Sequence, residues 1–183
     1  MDIRDFKTQV LPVSQKLLRF ACCFLKNEEL ARDVVQDVFL KLWQKRDTLH
    51  EVENIEAFSM RMTRNRCLDI IRTNKLVEIT PETELQIEAG EGDVYSKIEL
   101  SESAMQIRSL VKKLPNLQQT VMHLRDIEQF SYDAIAEVTG LKPNAIRVNL
   151  SRARKKVRDE FLKMNEMNLK LLVDGKVNCS KKL

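Results

Sequence analysis

The chain has 183 residues, room for one medium domain or two small ones, and its 43% hydrophobic and 32% charged residues are the balance of a chain that folds in water. Aromatics at 5%, four glycines and four prolines favour helices over sheets, and the net charge of +4 divides unevenly into +3 over residues 1–75, −7 over 76–104 and +8 over 105–183. No apolar run approaches the roughly 18 residues of a membrane span, and MDIRDFKTQV lacks the basic start and apolar core of a secretory signal, so no membrane insertion and a cytoplasmic location are expected.

In chain order, Phe6, Val10, Leu17, Ala21 and Phe24 follow helical spacing, with Pro12 near the first turns. Asn27 is suited to cap a second helix, with Glu28 and Glu29 in the first turn, where the helix dipole favours acids. That helix is predicted to reach about Lys45. Ala31, Val34, Val35, Val38 and Leu42 form its core stripe, and Asp33, Gln36, Asp37, Leu40 and Lys41 fill the opposite face. Asn54 is the cap candidate for a third helix, predicted through Arg72, on which Arg61, Arg64, Asn65, Asp69 and Arg72 share a polar stripe. A helical bundle is the economical fold for residues 1–75. Each polar face has two readings, a contact surface or a merely solvated one.

Residues 76–104 combine Pro81, Gly90 and Gly92 with no sustained apolar period, which predicts a flexible acidic linker. Ser103 and Gln106 have capping-box spacing at the start of the next block, residues 105–166. Ile107, Leu110, Val111 and Leu114 mark its first helix, Pro115 stops it, and Leu117, Val121 and Leu124 mark a second. Ser131 is placed to cap a short third helix containing Ala134, Ile135, Ala136 and Val138. Gly140 permits the positive φ of a tight turn, and Pro143 opens a long fourth helix.

The last two helices have helix-turn-helix spacing. Ile146, Leu150, Ala153, Val157 and Phe161 form the buried stripe of the fourth, which leaves Asn144, Ala145, Arg147, Val148, Ser151, Arg152, Arg154 and Lys155 outside. A helix this thin and basic on its outer face fits a major groove. Arg and Asn can read base edges there, while Lys and the remaining Arg neutralise phosphates; a basic protein surface is the alternative. Residues 167–183 are expected to form a disordered tail, with a turn at Asp174-Gly175 as the alternative. The expected fold class is all-α: two small helical domains joined by a flexible acidic linker, the C-terminal one a four-helix domain with a helix-turn-helix.

Cys22 and Cys23 are adjacent in an apolar segment, Cys67 lies in a helical pattern and Cys179 in the tail. With no CxxC pair and only His50 and His123 as histidines, neither a disulfide scaffold nor a closed zinc site is expected, and no metal or cofactor. Cys22 and Cys23 read as buried core thiols, with oxidant sensing as the alternative.

Three segments together resemble a known family. Residues 30–46, LARDVVQDVFLKLWQKR, resemble the polymerase-binding helix of bacterial sigma factors, and residues 57–72, AFSMRMTRNRCLDIIR, resemble the promoter-melting helix that follows it. Residues 110–158 resemble the sigma domain that binds the −35 element. The order and the linker are those of the extracytoplasmic-function class, the smallest sigma factors. The resemblance implies that residues 1–75 are the region 2 domain and residues 105–166 the region 4 domain. It implies that Asp33, Gln36, Asp37 and Leu40 dock on the clamp helices of the largest subunit of core RNA polymerase, with Trp43 at the family's aromatic position. It implies that Arg61, Arg64, Asn65 and Arg72 bind the −10 strand, and that the loop from Arg46 to Glu53 captures a flipped base. It places Asn144, Arg147, Val148, Ser151, Arg152 and Lys155 on the −35 duplex. The acidic linker would pass through the polymerase near the RNA path, and an anti-sigma factor would be a further partner. Phe58 departs from the family's tryptophan, Asn149 from a frequent arginine, and Asp133 stands one place early.

The expected function is therefore promoter-specific initiation: binding core RNA polymerase, recognising −35 and −10 elements and aiding promoter melting. With no P-loop, nucleophile elbow or metal-ligand set, the chain is not expected to be an enzyme. The alternatives are a helix-turn-helix regulator acting without polymerase, or a sigma mimic that binds only an anti-sigma protein.

Overall fold

The computed structural model of the protein describes residues 2–77 and 102–179. Every regular element among these residues is helical, so the fold is all-α. The first predicted helix is two. Helix α1 (Ile3–Gln9) is capped by Asp2, whose carboxylate accepts from the Asp5 N–H at 2.7 Å. Pro12 has no N–H to continue it, and the chain passes through a 3-10 turn at Leu11–Val13 before α2 (Ser14–Leu25). Lys26, at φ 55°, turns the backbone left-handed, and Asn27 then caps α3 (Glu28–Gln44) by accepting from the Leu30 N–H at 2.9 Å. Asn54 does the same for α4 (Ile55–Val77), accepting from the Ala57 N–H at 2.9 Å. The core stripe expected of α3 is buried in full: Ala31, Val34, Val35, Val38 and Leu42.

Most of the predicted linker, residues 78–101, lies outside the described residues, as do residues 180–183. Its two ends are helical instead. Helix α4 continues to Val77, and α5 (Glu102–Val111) has already begun at residue 102, so Ser103 sits inside the helix and is not its cap. Helix α6 (Asn116–Met122) gives way to a π turn at His123–Ile127, closed by the Glu128 N–H donating to the His123 carbonyl at 3.0 Å. Ser131 caps α7 (Tyr132–Thr139), accepting from the Ala134 N–H at 3.1 Å, and Gly140 ends it at φ 72°. Helix α8 starts at Pro143 and runs to Cys179. The disordered tail expected from residue 167, and the turn at Asp174-Gly175, are replaced by this helix as far as Cys179. Its Met, Leu and Lys are good helix formers, and one glycine costs only about 1 kcal/mol.

The expected halves are both present, and they pack on each other. One core runs from Phe6, Leu17 and Phe20 in the first half to Val121, Leu124, Phe130, Ile135 and Ile146 in the second. A smaller cluster of Leu110, Val111, Leu114, Ala153 and Val157 fixes α5 against α8. Along the seam, α4 lies on α7 and α2 lies on the π turn. The edge of His123 meets the fully buried Phe20 ring at 5.3 Å and 87°. Burial of that one ring contributes about 1.5–3 kcal/mol. Arg19 grips the buried Glu128 with two hydrogen bonds, Nε to Oε1 at 2.9 Å and Nη2 to Oε2.

Candidate nucleic-acid interface

The face of α3 opposite its core stripe is open. Asp33, Gln36 and Leu40 are exposed, Leu40 at 57%. Asp37 is half-buried and paired with Arg66 of α4, whose Nη2 lies 3.2 Å from Oδ2. The pair holds one acid of the row in place and leaves Asp33 and Gln36 outward. Trp43 takes the packing role. Its ring meets Phe6 edge-on at 5.1 Å and is covered by the Arg46 guanidinium at 4.9 Å. The loop that follows is pinned by buried Leu49 in a 3-10 turn, Leu49–Glu51.

On α4, Asn65 and Arg72 are exposed, while Arg61 and Arg64 are half-buried. Arg61 stacks over Phe58 at 5.3 Å, so the phenylalanine supplies an aromatic platform for its guanidinium. Burial, and then the nearby Arg72 charge, lower the Arg64 guanidinium below its ordinary value. Its Nε is buried without a hydrogen-bond partner among the described residues. Arg64 and Arg72 are near enough for their charges to interact, an arrangement that a bound anion would relieve.

All six expected duplex-reading side chains of α8 are exposed: Asn144, Arg147, Val148, Ser151, Arg152 and Lys155. The buried residues Ile146, Leu150, Ala153 and Val157 hold the opposite side. Arg147 is oriented twice, by donating to Asn144 Oδ1 at 2.9 Å and by lying 5.0 Å over the Tyr132 ring. Val148 is 47% exposed, an apolar group suited to a thymine methyl. Arg154 differs from the expected phosphate contact. It folds back onto Asp126, with Nε donating to Oδ2 at 3.0 Å, and this bond raises it further above its ordinary value. Asn149 likewise turns inward, donating to its own helix at Ala145 O, 2.8 Å.

Sequence reasoning missed Tyr132, Arg66 and Asp126 as positioning groups. Tyr132 stands between Arg125, at 4.7 Å, and Arg147. Its place at the first position of the short helix after Ser131 was the available signal, because a helix-turn-helix brings that end beside the start of the next helix. Arg66 and Asp126 act across helices and leave no local trace. No helix among the described residues is long and apolar enough to cross a membrane.

The geometry can be set beside known proteins. Residues 10–77 match the family described as Sigma-70 region 2, and residues 104–157 match Sigma-70, region 4. RNA polymerase sigma factor SigV of Bacillus subtilis (strain 168) is 26% identical over 150 residues, 81% of this chain and 86% of the relative. SigZ of the same organism is 26% identical over 158 residues, 86% of each chain. Among solved structures, the sigma factor RpoE in complex with the anti-sigma factor NepR from Bartonella quintana superposes with a TM-score of 0.72 at 26% identity, covering 88% of this chain and 98% of that one. CnrH, in complex with the cytosolic domain of CnrY, shares the fold at a TM-score of 0.64 and 23% identity, over 86% of this chain and 88% of that one. The chain belongs to the sigma-70 family of RNA polymerase sigma factors, in its extracytoplasmic-function class.

Proposed function

We propose that this sigma factor docks on the clamp helices of core RNA polymerase through Asp33, Gln36, Asp37 and Leu40, and directs it to promoters with paired −35 and −10 elements. The −35 duplex is read by Asn144, Arg147, Val148, Ser151, Arg152 and Lys155. The −10 strand is held by Arg61, Arg64, Asn65 and Arg72, with a flipped base taken by the loop from Arg46 to Glu53. Melting then needs no nucleotide hydrolysis, since binding the single strand shifts the opening equilibrium. Bond making stays with the polymerase, and the protein works in the cytoplasm. The observation that carries the reading is the α8 face: six duplex-suited side chains, all exposed, with Arg147 oriented from two sides. The two domains of this reading are residues 1–75 and 105–166.

An anti-sigma factor is a further partner. Support comes from RpoE and CnrH, which resemble this chain while bound to NepR and CnrY. Run-off transcription with bacterial core polymerase on a genomic promoter library tests the whole. New starts that share spaced −35 and −10 elements are expected. Active core and folded protein without new starts would overturn the reading in favour of a regulator or a decoy.

A further inference from the structure

The seam between the two halves carries a row of reactive groups that promoter binding does not use. Cys23 and Arg19 come from α2, Gln119 from α6, and His123 and Glu128 bracket the π turn. Gln119 Nε2 donates to the Cys23 carbonyl at 2.9 Å and to Cys23 Sγ at 3.3 Å. His123 is 1% exposed, and neither ring nitrogen makes a well-aligned hydrogen bond. The ring's polar neighbours are the Cys23 thiol on one side and Glu128 on the other, with Oε1 3.3 Å from Nε2. Arg19 holds Glu128 from behind.

A cavity of about 330 Å³ opens onto this row. Cys22, Cys23, Ile107, Val111, Met122 and His123 line it, and Arg19, Arg108, Lys112 and Asp126 bring charge to it. Burial alone would raise the Cys23 thiol. The neighbouring His123 ring and its charge, then Gln119 and Lys112, outweigh it and leave the thiol below its ordinary value of 9.0. His123 shows the converse: burial pulls it down, and Cys23 and Glu128 more than offset this. Cys67 shows what a thiol that only fills the core looks like, pushed up to about 12, chiefly by burial.

We propose that Cys23 is an oxidant-modification site for hydroperoxides with an apolar tail, and that its oxidation parts the two helical halves. The tail lies in the cavity and the peroxide reaches Sγ. The thiolate attacks the terminal peroxide oxygen, an S–O bond forms and the O–O bond breaks. Sulfur is oxidised by two electrons to a sulfenic acid, and the peroxide is reduced to an alcohol. The alcohol's proton comes from the His123 imidazolium, so the charges of thiolate and imidazolium cancel in one step. The new oxygen changes the acceptor that Gln119 Nε2 meets at Cys23, where it now donates to Sγ at 3.3 Å. The discharged ring no longer attracts Glu128, which keeps only its Arg19 hydrogen bonds. The seam loses the Gln119–Cys23 fit and one of the two cations at Glu128 together, independently of any promoter.

The test uses the full chain, cumene hydroperoxide as the probe, dimedone trapping read by mass spectrometry, and small-angle scattering. Dimedone should trap Cys23 at least about tenfold faster than Cys22 or Cys67, since reactivity follows thiolate fraction. The radius of gyration should grow on oxidation of the wild-type chain and not of Cys23→Ser. In His123→Gln, checked for helix content by circular dichroism, trapping at Cys23 should slow at least about tenfold. Equal trapping at Cys22, Cys23 and Cys67, or trapping at Cys23 with no growth of the wild-type particle, would overturn the proposal. Both are read on the wild-type chain, so a variant that fails to fold does not shelter it.

Discussion

Glu128→Gln keeps the size of a seam residue and removes its charge. The carboxylate is nearly sealed from solvent, at 1% exposure, and receives both Arg19 hydrogen bonds. Breaking one partner of a buried pair costs about 3–5 kcal/mol, because the other charge is left buried and uncompensated. The Arg19 side chain is 26% exposed and regains some water, which puts the expected loss at the lower end, about 3 kcal/mol. In a chain of this size each kcal/mol moves the melting midpoint by about 2–4 °C, so the variant should melt roughly 6–12 °C below the wild type. Because the pair spans the seam, the loss should also split one calorimetric transition into two, one for each half. Scanning calorimetry on the wild type, Glu128→Gln, Arg19→Met and the double variant completes the cycle. A midpoint within about 0.5 kcal/mol of wild type, with a single transition, would refute the assignment of the seam to this pair.

The seam should also have a pH window. Burial raises Glu128, but His123 and then Arg19 bring it below 4.5, so its contribution is present above that value and lost as pH falls through the folded one. His123 is raised above 6.5, so its contribution is full below that value and lost as pH rises through the folded one. Melting curves across pH should show both limbs, Glu128→Gln flattening the acid one and His123→Gln the alkaline one; a flat profile would refute the linkage. Arg147→Ala should change −35 base preference by about 1–3 kcal/mol in binding to a duplex library, and an unchanged sequence profile would remove Arg147 from base reading. Asp37→Ala gives up a surface ion pair whose side chains are about half exposed, so stability should move by no more than about 1 kcal/mol, while binding to core polymerase falls and isolated −35 duplex binding does not. Equal loss of both would mean a folding defect.

Local chemistry made much of this fold legible. Asn27, Asn54 and Ser131 each cap the helix they precede, and Gly140 takes the left-handed turn, because each needs only its own backbone neighbours. The outward row of α8 was legible because one buried stripe fixes the opposite side. The break at Pro12 and the long continuation of α8 were misjudged, since propensity ranks residues without fixing where a helix stops. The π turn left no trace, because its widened register is set by what it packs against. The seam was hidden for the same reason. Cys23, Gln119, His123 and Glu128 look unrelated in the sequence and meet only through tertiary packing. Periodicity put Arg154 on the outer side, where it is exposed, but could not show that Asp126 claims it.

The seam also fixes an order of events at the ribosome. The Gln119–Cys23 and Arg19–Glu128 contacts join residues 96 and 109 positions apart. At about 5–20 residues per second, the first half waits roughly 5–20 s for its partner to be made. Throughout that interval the parts of Phe20 and Cys23 that meet His123 and Gln119 stand uncovered. Each new molecule therefore begins its life open, and whatever reaches the nascent first half in those seconds competes with the chain's own closure.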